Sequence, residues 1–129
     1  MPENDDKKTE LINVASQLIA TRFKPNYHEI GAAILTRSGQ VFSAVHIEAT
    51  VGRIAVCAEA IAIGMAATAG DTEIEMIVAV NRDGQVVSPC GMCRELIADY
   101  APDAKVIVPG EAGLMLITIN DLLPNKYHR

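Results

Sequence analysis

The sequence predicts an α/β layered sheet, and three observations carry that reading. Helical and strand-like hydrophobic patterns alternate along the chain in the order α-β-β-α-β-α-β-β. The strand candidates are short runs rich in Val, Ile and Ala, each bounded by turn or charge signals. Half of the 129 residues are hydrophobic (50%), enough to bury such a sheet under helices within one domain, residues 1–129.

Residues 7–22 place Leu11, Ile12, Val14, Ala15, Leu18 and Ile19 at helical spacing, and Lys24-Pro25-Asn26 breaks this first amphipathic helix. Residues 31–48 read as two strands joined by the turn Arg37-Ser38-Gly39-Gln40, where Gly39 supplies a positive φ. The Ala-rich segment 57–69, with Ile61, Ile63 and Met65, is expected to be a buried helix ending at Gly70 as its C-cap. Residues 75–81, an apolar run bounded by charge, are expected to form a central strand. Asp83-Gly84 turns the chain into 85–88, a short edge segment. A second helix over 90–100 stops at Ala101-Pro102. Strands at 105–110 and 114–120 follow, and 121–129 form a short turn or helix and a tail. Met65, Met76, Met92 and Met115 are read as core filler.

The chemistry-bearing residues are Cys57-Ala58-Glu59 and, further on, Pro89-Cys90-Gly91-Met92-Cys93. These are the only three cysteines. Two thiolates at i and i+3 at a helix start grip one ion, and a third from elsewhere leaves an open fourth position, as a catalytic zinc requires. Both ligand sets fall at predicted helix starts, where the positive ends of the helices and their free N–H groups offset thiolate charge. Arg94 is a candidate for adding a full positive charge. Glu59 would sit beside the zinc-activated water as a proton carrier. Taken singly, each piece has a plainer reading. Cys57 suits a core position, and Cys90 with Cys93 suits a redox pair. A structural zinc site would draw a fourth ligand from His28, His46 or His128. Taken together, with Glu59 at its offset and Pro89 before the helix, the residues read as a catalytic zinc site.

Composition narrows the partners. A net charge of −5 with no basic cluster argues against a polynucleotide, whose binding needs a positive footprint. With no Trp and only two Phe, stacking platforms for single strands are missing as well. No apolar run reaches membrane-helix length, and the charged N-terminal MPENDDKKTE lacks a secretion signal. With an odd number of unpaired thiols, this makes the expected location cytoplasmic.

A His or Cys ligand, any residue, Glu, then Pro-Cys-x-x-Cys is the pattern of zinc deaminases. Over residues from about 10 to 125 the chain resembles the cytidine deaminase family. The resemblance rests on Gly31-Ala32-Ala33-Ile34-Leu35, the Ser38-to-Phe42 turn, Val56-Cys57-Ala58-Glu59 and Ser88-to-Arg94, all in family order. It is specific for the metal motif and less so for the substrate. Leu122-Leu123-Pro124-Asn125-Lys126-Tyr127 is similar to the C-terminus of blasticidin S deaminase. The resemblance implies a three-layer fold with a five-stranded mixed sheet sandwiched by helices, and one Zn²⁺ per chain on Cys57, Cys90 and Cys93. It also implies Glu59 as proton shuttle, an amino-pyrimidine small molecule as substrate, and a homotetramer. The family's sugar-holding Asn-x-Glu-Asn stands here as His46-Ile47-Glu48-Ala49, and a base-packing aromatic falls near His28, so His46, Glu48 and His28 become candidate substrate contacts. The family's arginine after the catalytic Glu is Ala60 here, leaving Arg94 or Arg53 to compensate the thiolates. The expected substrates are a cytidine-like nucleoside or a related cytosine compound. An aminoacylated cytosine antibiotic or another modified amino-heterocycle is the alternative, and a zinc-stabilised binding protein is the alternative of another class.

Overall fold

A computed structural model of the protein describes residues 2–51 and 54–129. Arg53 therefore lies outside the described residues. The elements are α1 (Pro2–Arg22), β1 (Ile30–Thr36), β2 (Val41–Val45), β3 (Ile47–Glu48), β4 (Ala55–Val56), α2 (Ala58–Ala69), β5 (Ile74–Asn81), β6 (Val86–Val87), α3 (Gly91–Tyr100), β7 (Lys105–Gly110), β8 (Gly113–Thr118) and α4 (Ile119–Leu122).

Five strands form a mixed sheet in the order β2-β1-β5-β7-β8. Only the β5–β7 pairing is parallel, and α3 lies in the crossover that joins those strands; β2 and β5, which flank β1, are joined by another crossover through α2. The short β6 pairs antiparallel with β5 at Ala79 and Val80, whereas β7 pairs with β5 lower down, at Met76 and Ile77. The sheet thus forks at the upper end of β5. The expected five-stranded sheet is present, with β6 as a small sixth strand.

Side-chain alternation along each strand divides the core into two layers. On one face Ala33, Met76, Val78, Val80 and Ile107 pack under Leu11, Ala15 and Ile19 of α1, spaced four residues apart along the helix. On the other face Ile34, Ile77, Val106 and Val108 pack under Ala62, Ile63 and Ala66 of α2 and Cys93 and Ile97 of α3. Three layers result, with α1 on one side and α2 and α3, the helices that start beside the cysteines, on the other.

Several boundaries differ from expectation. α1 starts five residues earlier, at Pro2, a residue tolerated in the first turn because its N–H would have no intrahelical partner. The second strand of the 31–48 pair ends at Val45; Ile47–Glu48 leaves the sheet and pairs with Ala55–Val56 in a separate two-stranded ribbon. Residues 57–69 are not buried all round: Ala58, Glu59, Ala62, Ile63 and Ala66 face inward, while Gly64 and Met65 are exposed. Of the four methionines read as core filler only Met76 is buried; Met65, Met92 and Met115 are exposed. Gly70 does cap α2, with a left-handed φ of 73°.

The α1 layer sits very close to the sheet at Gly31. A Cβ there would lie 2.8 Å from the Ala15 carbonyl oxygen and 3.0 Å from Ile19 Cβ. Gly31→Ala must push backbone apart, so it should destabilise by about 1–3 kcal/mol and lower the thermal midpoint by several degrees. Differential scanning fluorimetry checks this, and an unchanged midpoint would contradict the close approach.

Candidate active site

Cys57 and Cys90 are the residues immediately preceding α2 and α3, both in extended backbone conformation, and neither is capped by a side-chain hydrogen bond. The helix starts therefore converge with first-turn N–H groups directed at the sulfurs' surroundings. Cys57 Sγ and Cys90 Sγ lie 3.5 Å apart, and the three cysteine sulfurs all fall within 4.8 Å of one another. Zn–S bonds of about 2.3 Å at a tetrahedral angle would set sulfurs about 3.8 Å apart, so this spacing fits one ion.

Burial grades across the cluster: Cys93 is fully buried, Cys57 half-buried and Cys90 exposed. Burial, followed by the nearby Glu59 carboxylate and the other sulfurs, drives the Cys93 thiol far above its ordinary range. Burial, and then the hydrogen bond with Cys90, also raises Cys57. Burial raises Cys90 too, but the Cys93 N–H and the contacts with the Cys57 and Cys93 sulfurs outweigh it, so its net shift is downward. Three thiolates cannot share this volume without a cation. A divalent ion that prefers sulfur removes the conflict, and the donor set therefore fits Zn²⁺.

Glu59 lies in the first turn of α2, 6% exposed, where its own backbone N–H and the neighbouring Cys93 thiol favour the charged form. Loss of hydration dominates and lifts its carboxyl above the usual carboxylate range, as suits a group that must hold and release a proton. Glu59, Cys57 and Cys90 line a cavity of about 200 Å³ with Ile30, His46, Ala58, Val87 and Ser88. Ile30 of β1 and Val87 of β6, on opposite edges of β5, make its walls apolar. A larger hollow of about 630 Å³ lies under the C-terminal tail, lined by Asp99, Tyr100, Lys126, Tyr127 and His128, apart from the cysteines.

The histidines do not join the sulfurs. Among the described residues the potential metal-ligating cluster contains the three cysteines alone. His46 lines the cavity, with Nε2 2.9 Å from Glu48 Oε1 and Nδ1 2.8 Å from the Glu29 N–H. His28 Nδ1 contacts the His46 carbonyl at 2.9 Å, and His128 lines the tail hollow. Arg94 does not serve the sulfurs as expected. Its Nε donates to the Pro89 carbonyl at 2.9 Å and its Nη1 to the Leu122 carbonyl at 3.0 Å. One residue beyond Cys93 is about 100° around the helix, so the guanidinium points elsewhere. Sequence reasoning missed Ile30, Val87 and the Glu29 N–H, because apolar walls and main-chain donors leave no motif.

Together, the three-layer fold and a cysteine cluster with a buried glutamate beside it define a zinc-dependent aminohydrolase. The family model for the cytidine and deoxycytidylate deaminase zinc-binding region matches residues 5–109, and the chain belongs to that family. It is 50% identical over 128 residues to the blasticidin-S deaminase of Bacillus cereus, covering 93% of this chain and 91% of that one. It is 33% identical over 101 residues to a cytidine deaminase of Halalkalibacterium halodurans, covering 77% and 76%. The crystal structure of cytidine deaminase from Burkholderia pseudomallei superposes with a TM-score of 0.77 at 26% identity, covering 92% of this chain and 98% of that one. The Mycobacterium leprae cytidine deaminase gives a TM-score of 0.78 at 25% identity, over 91% and 97%. The protein is thus a deaminase whose cofactor is Zn²⁺, and the cysteine cluster fits one ion per chain.

Cys90→Ala and Cys93→Ala should each lose most of the bound zinc, and Cys93→Ala should also lower the unfolding midpoint, because metal-binding energy is folding energy. Metal analysis of the purified variants checks this. Full zinc retention in both would defeat the ligand assignment.

Proposed function

We propose that the protein hydrolytically deaminates a small molecule bearing a cytosine ring, using Cys57, Cys90 and Cys93 as zinc ligands and Glu59 as proton carrier. The observation that carries this reading is the buried Glu59 carboxyl set against a three-sulfur cluster in one cavity. When bound, the zinc supplies the Lewis acidity that makes water a nucleophile near neutral pH. Glu59 accepts one proton from that water and delivers it to the ring nitrogen, then takes the second from the new C–OH group as the carbonyl forms and passes it to the departing amine. The amidine carbon gains a C–O bond and loses its C–N bond, so the products are the ring carbonyl and ammonia. The apolar Ile30 and Val87 flank the ring, while His46 belongs to the wall meeting the part remote from the amine, with Glu48 and His28 hydrogen-bonded behind it.

A second reading, that the substrate is blasticidin S or a similarly modified cytosine nucleoside, draws support from the 50% identity to the Bacillus cereus enzyme. His46 in place of the sugar-holding Asn supports it as well. Ammonia release from cytidine, deoxycytidine, cytosine and blasticidin S separates the two readings. Release from none of them would sink the proposed function and favour a zinc-stabilised binding protein.

Glu59→Gln should keep zinc and fold yet lose about two orders of magnitude in kcat, the scale of a positioned proton carrier. Metal analysis with a coupled ammonia assay reads both quantities. A near-normal rate would move the role to another group.

We further propose a homotetramer acting on free small molecules in the cytoplasm. Among the described residues no helix is long and apolar enough to cross a membrane. The outward face of α2, carrying Met65, and the exposed Met92 beside the ligand loop offer apolar surface to neighbouring copies. Light scattering should return four times the 13.8 kDa chain mass, and a monomer mass at micromolar concentration would contradict it.

A further inference from the structure

Every polar atom of His46 is already engaged inside the chain. Its N–H donates to the Ile30 carbonyl at 2.9 Å, and its carbonyl accepts from His28 Nδ1 at 2.9 Å. Its Nδ1 lies 2.8 Å from the Glu29 N–H, and its Nε2 lies 2.9 Å from Glu48 Oε1. A backbone N–H can only donate, so Nδ1 must present a lone pair. The ring proton therefore sits on Nε2 and is donated to Glu48. The same logic fixes His28: a carbonyl only accepts, so His28 Nδ1 carries a proton.

These bonds issue from one tight loop. Lys24 and His28 exchange a pair of backbone hydrogen bonds of 2.9 and 2.8 Å, closing the loop between α1 and β1. Inside it Asn26 adopts a positive φ of 68°, and its N–H donates to Glu29 Oε2 at 3.0 Å. The loop grips the His46 carbonyl through His28 and the His46 ring through Glu29. The His46 side chain is 12% exposed and lines the cavity, whereas the Glu48 side chain is 39% exposed.

We propose that His46 is a positioning residue that sets the direction of the Glu48 carboxylate, and that it makes no hydrogen bond to substrate itself. This rests on the proposed function above and refines it: neither ring nitrogen is free, so recognition of the amine-distal part falls to Glu48, an acceptor. The matching ligand is a cytosine compound with a hydroxyl or N–H donor at that end. A histidine with a set tautomer holds one carboxylate oxygen without swivelling, which fixes where the other can accept.

Two substitutions separate the ring's two bonds. His46→Asn places its amide near the Nδ1 position, keeping an acceptor for Glu29 and losing the reach to Glu48. His46→Gln places its amide near Nε2, keeping the donor to Glu48. Zinc-loaded proteins are assayed for ammonia release on the best cytosine substrate, with zinc content measured alongside. H46N should raise KM about tenfold with a much smaller fall in kcat, and H46Q should recover most of that loss. In a Glu48→Ala background H46N should have little further effect, because both changes remove one coupled contact. Additive losses in the double variant, or equal losses in H46N and H46Q, would overturn the proposal. A readout free of activity is long-range ¹H–¹⁵N correlation of the histidine rings in the zinc-loaded protein. It should give a neutral Nε2–H tautomer for His46, and an Nδ1–H tautomer there would also overturn the inference. If wild-type protein releases no ammonia from any cytosine compound, the functional reading fails while the tautomer still decides whether His46 is held as described.

Discussion

The structure depends on bringing three sulfurs into a space that three negative charges cannot share. Two helices end their approach at that point, each beginning just after a cysteine, and their sides bury Cys93, Ile97, Ala62 and Ala66 against the sheet. The helix packing that positions the thiols also desolvates them, which raises Cys93 and Cys57 and makes a soft divalent cation the natural counter-charge. Glu59 belongs to the same constraint. It enters the low-dielectric pocket because α2 starts there, and the burial that makes its carboxylate costly makes it a proton carrier.

The carboxyl end of the central strand β5 supplies the opening. β1 pairs through Ile30 with Asn81 on one edge of β5 and β6 pairs with Ala79 and Val80 on the other, so the cavity lies over the carboxyl end of β5. Val87 of β6 and Ile30 of β1 form the cavity walls, and the helix starts close it from the side. The other face of the sheet has no such demand, and α1 covers it so closely that Gly31 has no room for a side chain.

Legibility in the sequence followed the physics of each feature. Helical and strand periods, Gly70 and Pro102 marked most elements, and Cys57, Glu59, Cys90 and Cys93 fall together as their spacing implied. The β3–β4 ribbon was invisible because two-residue strands have no period to detect. Hydrophobic content did not distinguish core Met76 from exposed Met65, Met92 and Met115, since a thioether suits either setting. Arg94 was misjudged because adjacency along a helix is not adjacency in space. His46 was legible as a candidate and lines the cavity, but the partner of its Nδ1 is a main-chain N–H, which carries no residue identity.

Arg94 has a wider consequence. One guanidinium holds the carbonyl just before Cys90 and the carbonyl that ends α4. α4 is itself fastened to the body by the Thr118 hydroxyl cap and by the Ile119 N–H donating to the Ala104 carbonyl. The chain's last folded turn and its metal-gripping loop are thus one mechanical unit, although 28 residues separate Arg94 from Leu122. Fraying at that end would take away one of the two carbonyls this guanidinium holds, so the carboxyl-terminal turn braces the loop that presents Cys90.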